Sequence, residues 1–323
     1  MIYFRLPFAK TISTIEENST ETPVSFFSFD GNEQLDFKGT IKNLSRETFS
    51  KLQLSNDEIS KKFPEFGEER QDDYQNKVEK VIQFVQENNL PKLVLSRLKL
   101  MKYQDLKIDF VQSFLKLCDA FPGAFAYLFI QNGKCWMGAF SEVLGDFNTK
   151  TSEFKTMSLA GTLPLNENWT PKEIEEQKYV TDFIASILQN FSANVEQSET
   201  SDHISGNIKH LRTDFKAKIH AEKLDELIEN LHPTPAVCGI PKEVCKKALQ
   251  DFEKYPRDFY AGYIKVETPE NIKYFVNLRC AEFLNDAAFI HVGGGITAES
   301  SPEKEWQETE LKADAIFKNI VFS

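Results

Sequence analysis

Glu305, Glu308 and Lys312 stand at spacings of three and four residues behind a run of three glycines, Gly293 to Gly295. On an α-helix those spacings place all three side chains on one face. Two carboxylates and an ammonium beside a bare backbone turn could hold a cation and an anionic ligand together. Ser301 and Pro302 suit the N-cap and first position of that helix. Acids in a first turn also oppose the macrodipole, so this face taken alone reads as a solvated surface. A second copy of the arrangement changes the balance. Thr170-Pro-Lys-Glu173 reads as a capping box with proline at the first helical position, and Glu173 and Glu176 repeat the three-residue spacing. Val180, Ile184, Ile187 and Phe191 continue the same stripe. Carboxylates that begin an apolar stripe face the core rather than water. Two helices, each bringing a pair of acids inward, predict an oxygen-lined site for a hard cation such as Mg²⁺.

The elements that must position these groups belong to a chain of 323 residues with net charge −11. That length suits one large domain or two ordinary ones. The acidic balance argues against general nucleic-acid or anionic-membrane binding. Hydrophobic residues make up 41% and aromatics 12%, with 28 Phe, so large rings are expected to fill much of the core. Five cysteines (Cys118, Cys135, Cys238, Cys245, Cys280) form no CxxC pair, as in reduced cytoplasmic proteins. The five histidines have no metal-ligand spacing. The opening residues lack an apolar signal region, and no run approaches membrane-spanning length.

Residues 1 to about 73 read as a short, variable N-terminal part, with a strand and turn at Ser25–Gly31 and a polar surface segment or linker at Ser55–Asp73. Helical periodicity runs from Tyr74 to Asn89, and Leu93–Arg97 is a short strand. Asp109–Ala120 reads as a helix, and Asn132-Gly133 joins two apolar runs in a hairpin. A second hairpin spans Phe147–Ser158, and a long helix begins at Pro171. Asp214–Leu231 and Pro241–Phe252 read as helices, and Phe259–Val266 and Tyr274–Cys280 as paired strands. Hairpins interleaved with helices predict an α+β fold with large antiparallel sheets. No GxGxxG or Walker pattern supports nucleotide binding.

Several motifs in this order resemble the chorismate-utilising enzymes: isochorismate, salicylate, anthranilate and aminodeoxychorismate synthases. They are Lys92-Leu-Val-Leu-Ser-Arg97, Gly138-Ala-Phe-Ser-Glu142, Leu159-Ala-Gly-Thr162, Lys172-Glu-Ile-Glu-Glu-Gln177, His210-Leu-Arg-Thr213, His232-Pro-Thr-Pro-Ala-Val-Cys-Gly239, Arg257-Asp-Phe-Tyr-Ala-Gly262, Arg279, and Gly293 through Lys312. The resemblance covers about residues 75 to 320, and it implies one catalytic core over 74–320 with two large, mainly antiparallel sheets packed between helices. Two positions divide the family's chemistry. Lys92 lies where isochorismate and salicylate synthases carry the lysine that activates water, and Ala160 where aminodeoxychorismate synthases often carry a nucleophilic lysine. Both choices imply water as the nucleophile.

The resemblance further implies that Glu176 and Glu308 hold Mg²⁺ with Glu173 and Glu305 behind them. Lys92 is the base and Glu142 the acid that protonates the departing hydroxyl. Lys312, Arg279 and the N–H groups of Gly293, Gly294 and Gly295 bind the enolpyruvyl carboxylate of chorismate. Gly161 and Thr162 meet the ring carboxylate, and His210 and Tyr260 complete the pocket. Phe140-Ser141 precede Glu142 where the family ordinarily has Ser-Pro or Thr-Pro, and Gln177 replaces a common histidine. The expected activity is a Mg²⁺-dependent isochorismate synthase, an isomerase feeding menaquinone or siderophore biosynthesis. A salicylate synthase or a catalytically silent carboxylate-binding relative is the alternative. A cytoplasmic monomer without an amidotransferase subunit is expected, because water needs no ammonia donor.

Overall fold

The structure is a computed structural model that describes residues 1–323 apart from 55–58, 60–68, 104–105 and 206–207. Most of the linker expected over Ser55–Asp73 therefore lies outside the described residues. The N-terminal residues form five strands, β1 (Ile2–Arg5), β2 (Ile12–Glu16), β3 (Val24–Phe27), β4 (Gln34–Phe37) and β5 (Thr40–Leu44), then a short helix α1 (Arg46–Ser50). Helix α2 (Gln71–Glu87) leads into the long β6 (Lys92–Lys102). Helix α3 (Phe110–Ala120) precedes the hairpin of β7 (Phe125–Gln131) and β8 (Lys134–Phe140). Its turn residues Asn132 and Gly133 both have positive φ, 53° and 80°, as a type I′ turn requires.

Strands β9 (Val143–Asn148) and β10 (Glu153–Pro164) follow, then α4 (Pro171–Phe191), β11 (Val195–Gln197), β12 (Ser201–Ser205) and β13 (Ile208–Lys218). Helix α5 (Leu224–Leu231), β14 (Gly239–Ile240), α6 (Lys242–Phe252), β15 (Tyr263–Glu267), β16 (Asn271–Val276), β17 (Cys280–Phe283), β18 (Ala287–Ile296) and α7 (Pro302–Phe317) complete the chain. The helix expected over Asp214–Leu231 is corrected. Its first part belongs to β13, where Thr213, Phe215 and Ala217 are buried in alternation and pair along β10. Period two wins there, and helix begins only at Leu224. The strand expected from Phe259 begins at Tyr263, because Ala261 turns the chain with φ 58°.

The strands make two nine-stranded sheets among the described residues, with every pairing antiparallel. The first runs β14-β6-β18-β17-β8-β7-β1-β2-β5; the second runs β11-β13-β10-β9-β16-β15-β3-β4, with β12 beside β13. Residues before 45 thus supply strands to both. The sheets meet over an aromatic layer, where Phe26 of β3 packs edge-on against Tyr127 and Phe129 of β7, each at 4.9 Å. Phe125 of β7 stacks on Phe275 of β16 at 4.5 Å. Such pairs add about 0.5–1.5 kcal/mol each beyond area burial, which favours one fixed alignment of the sheets. Helix α4 lies along β10 and β13, and α7 lies along β18. The chain crosses between the sheets at Ser141–Glu142, from β8 to β9, and at Asn277–Arg279, from β16 to β17.

Candidate active site

A cleft of about 840 Å³ opens where these crossings meet α4 and α7. Lys92 enters it from the first residue of β6, Glu142 from the first crossing and Arg279 from the second. Gly161 and Thr162 come from an irregularity in β10, where the register against β13 shifts between Ala160 and Leu163. Gly161 has φ +70° and faces the backbone of Glu173, so a side chain there would meet both strain and a wall. His210 comes from β13, Tyr260 from the turn before β15, Gly293 to Gly295 from β18, Glu176 from α4, and Glu308 and Lys312 from α7. Glu173 and Glu305 stand behind this lining rather than in it. Leu159, Ala160, Ala236, Val237 and Leu278 add apolar walls.

The three glycines do not form the expected turn. They lie within β18, extended and in register opposite Ser96, Leu95 and Val94 of β6. Their bareness serves close packing instead. A Cβ on Gly295 would sit 2.7 Å from Glu176 Oε1 and 2.8 Å from Lys92 Cε, and one on Gly294 would sit 2.9 Å from Glu305 Oε2. The acidic face of each helix is therefore pressed onto the strand.

Charges are paired across this floor. Lys92 Nζ donates to Glu176 Oε1 at 2.6 Å, with Lys92 only 1% exposed. Lys312 Nζ reaches Glu308 Oε1 at 2.6 Å and donates to Gly293 O at 2.8 Å. Lys172 Nζ donates to Glu305 Oε1 at 2.9 Å. Burial pushes the Glu176 carboxyl up, but Lys92, Lys172 and Lys312 outweigh it and hold it below the usual range. Burial and the neighbouring Glu308 push Glu305 upward. Glu142 has a different balance. Burial pushes it up to about 7, against the pull of Lys92, Lys312 and Arg279, so half its population carries a proton near neutral pH.

His210 is held neutral by burial and by Arg279. Its Nδ1 lies 3.0 Å from the Gly161 carbonyl and so must carry the hydrogen. Its Nε2 is then the acceptor for Arg279, at 2.9 Å. Arg279 also bonds Ser205, and burial lowers its guanidinium to about 10. Glu173 closes the capping box of α4, accepting from Thr170 N at 3.1 Å.

Residues 17–321 match the family described as chorismate binding enzyme. The chain belongs to the chorismate-binding enzymes. An isochorismate synthase of Bacillus subtilis is 27% identical over 263 residues, covering 75% of this chain and 66% of its own length. One of Haemophilus influenzae is 28% identical over 205 residues, covering 59% and 47%. The matched segments thus span less than two thirds of these relatives. Among solved structures, the menaquinone-specific isochorismate synthase of Escherichia coli superimposes with a TM-score of 0.79 at 16% identity, covering 98% of this chain and 88% of its own. Anthranilate synthase component I of Streptococcus pneumoniae superimposes at 0.71 and 16%, covering 97% and 81%. At such identities the likeness is one of fold.

In this chorismate-binding chain, the acids fit a hard cation by their chemistry. Among the described residues, no three His, Cys, Asp or Glu side chains gather around one point, and Glu176, Glu305 and Glu308 are each paired with a lysine. Yet Glu305 Oε2 is buried with no hydrogen-bond partner, and it faces Gly294 beside Glu308 Oε1. A buried carboxylate oxygen without a donor is costly, and a cation would satisfy it.

Sequence reasoning missed Lys172, although it stands four residues before Glu176 on α4. It also missed His291, which lines the cleft, stacks on Trp136 at 4.9 Å and is kept neutral by burial. His203 and Ser205 gave no local signal, because only the pairing of β12 with β13 brings them near.

Proposed function

We propose that this chain is an isochorismate synthase. The observation that carries the reading is that Lys92 and Glu142 line the same cleft. A buried amine and a carboxyl poised near neutral pH line one cleft, together with the carboxylates Glu176 and Glu308. The names of the related proteins favour the same activity.

In this reading Arg279 and Lys312 receive the enolpyruvyl carboxylate of chorismate, with the backbone of Gly293 to Gly295 alongside. Gly161 and Thr162 receive the ring carboxylate. Tyr260 and the apolar wall at Leu159, Ala160 and Val237 hold the ring and limit water. Lys92 acts as the free amine and takes a proton from the water that attacks ring carbon 2. Glu142 gives its proton to the hydroxyl leaving carbon 4. Each transfer lowers the barrier because the group's charge changes where the ring oxygen's charge develops. Glu176 and Glu308 would hold Mg²⁺, with Glu305 and Glu173 behind them, and the ion would neutralise the ring carboxylate. Ala160 offers no amine to attack the ring, so water is the nucleophile and no amidotransferase subunit is needed. We treat residues 74–320 as the catalytic core and the protein as a monomer.

The test is to incubate the protein with chorismate and Mg²⁺ and separate the products. Isochorismate is expected, and Lys92→Ala should abolish it. Salicylate with pyruvate would identify the two-step relative. Aminated products in excess ammonium salt, or no turnover at all, would overturn the reading.

A further inference from the structure

The β8–β9 and β16–β17 crossings are tied at the cleft, each bonded to the strand that borders the other. Val276 N donates to Glu142 O at 3.2 Å, and Ala139 N donates to Arg279 O at 3.2 Å. Each crossing is short. Only Ser141 and Glu142 separate β8 from β9, and Arg279 takes a left-handed backbone with φ 45°. A non-glycine residue there needs surrounding contacts to hold it.

β8 and β13 supply some of those contacts, through Ala139 and His210, and β12 supplies another. Among the described residues it is paired with β13 alone, so its other edge is free of strands. His203 Nε2 lies 3.1 Å from Ser141 Oγ, and Ser205 Oγ bonds the Arg279 guanidinium. One five-residue strand therefore reaches both crossings. Ser141 borders the catalytic cleft and also a second cleft, which His203 and Ser205 line. His203 does not border the catalytic cleft. It meets Ser141 from behind and has no path to a bound ring.

We propose that His203 is a positioning residue for Glu142, acting through Ser141, and that β12 clamps the acid and Arg279 in register. The proposal rests on reading Glu142 as the acid. Its physical basis is the shortness of the crossing. A two-residue link fixes the ends, and a displacement of the Glu142 carboxyl by about 1 Å can cost on the order of 10²-fold in rate. The hydroxyl of Ser141 ties the neighbouring residue to a fixed strand. Burial, with Arg212 and Arg279 nearby, keeps His203 uncharged, so Nε2 can accept that hydroxyl.

The test uses His203→Ala, His203→Gln, Ser141→Ala and the His203→Ala/Ser141→Ala pair in the full chain. One hydrogen bond is worth about 1 kcal/mol, so each alanine variant should lower kcat roughly five- to tenfold and leave KM for chorismate unchanged. The double variant should lose no more than either single one. Glutamine places an amide near the Nε2 position and should restore most of the rate. Losses that multiply, a change confined to KM, or unchanged kcat would overturn the clamp. A second arm needs no turnover. Nitrogen-15 NMR of labelled imidazoles should show the His203 titration moving on Ser141→Ala, and an unmoved titration overturns the bond itself. If Glu142→Gln loses activity while His203 and Ser141 prove uncoupled, only the clamp falls. If Glu142→Gln keeps full turnover, the acid assignment and the clamp fall together.

Discussion

Replacing Glu142 with glutamine should make the protein more stable at neutral pH while it removes turnover. Glu142 is 5% exposed, and burial pushes its carboxyl from 4.5 up to about 7 despite Lys92, Lys312 and Arg279. In the unfolded chain the same carboxyl ionises near its ordinary value. Between the two values the unfolded state releases the proton and the folded state keeps it. A raised acid therefore costs nothing at low pH; its cost grows as pH rises through this window and is complete above about 7. At about 1.4 kcal/mol for each pH unit, the interval amounts to about 3 kcal/mol. Glutamine has nearly the shape of the protonated carboxyl and cannot ionise. Its advantage over the wild type should be near zero around pH 4 and should reach about 3 kcal/mol above roughly pH 7.5. Urea unfolding of both proteins across this range reads the difference directly. With an m-value of about 3 kcal/mol/M, the midpoint gap should open to roughly 1 M. The same variant should lose on the order of 10²–10⁴-fold in turnover. A gap that stays constant or closes as pH rises would refute the claim that Glu142 is held protonated by its surroundings.

Glu305→Gln should weaken Mg²⁺ binding at least about tenfold by calorimetry without substrate, because it removes the charge of the carboxylate whose Oε2 has no partner. Unchanged affinity would place the ion elsewhere. His210→Leu should raise KM for chorismate about tenfold, roughly the worth of one charged hydrogen bond, with a smaller change in kcat. The leucine removes the acceptor that now orients Arg279 from 2.9 Å. An unmoved KM would show that Arg279 needs no such support.

Much of the site was legible because its signals are local. A capping box, a Ser-Pro helix start and three-residue acid spacings lie within single helices, and α4 and α7 do press those acids inward. Glu173 and Glu305 are among the buried residues of their helices. The Asn132-Gly133 hairpin was equally plain, since its turn dictates its sequence. What failed depends on partners distant in sequence. Residues 293–295 suggest a turn by composition, yet ten residues of β6 pair with β18 and hold them extended. Asp214–Lys218 looked helical until β10 claimed it. The order of strands in two sheets of nine cannot be read from alternation, because each crossing is set by packing at both ends. The sequence also concealed how each carboxylate is answered. Lys172 reaches Glu305 across 133 positions, and Lys92 reaches Glu176 across 84.

The charge balance of the cleft bears on the proposed reading, in which an acidic chain takes an anionic substrate. Its net charge of −11 repels anions at a distance. At close range the lining is different. Lys92, Arg279 and Lys312 face Glu176 and Glu308, and Glu142 is largely uncharged just below neutral pH. Behind them Lys172 and Glu305 cancel as a pair. The lining therefore carries a small positive excess. A dicarboxylate alone would turn that excess negative in a buried space, and a divalent cation alone would raise it further. Both together leave the local charge where it began. In a low-dielectric cleft this difference is large, so under the proposed function cation and dicarboxylate would each strengthen the other's binding, and by linkage equally. The lysines paired with Glu176 and Glu308 keep the carboxylates in place meanwhile.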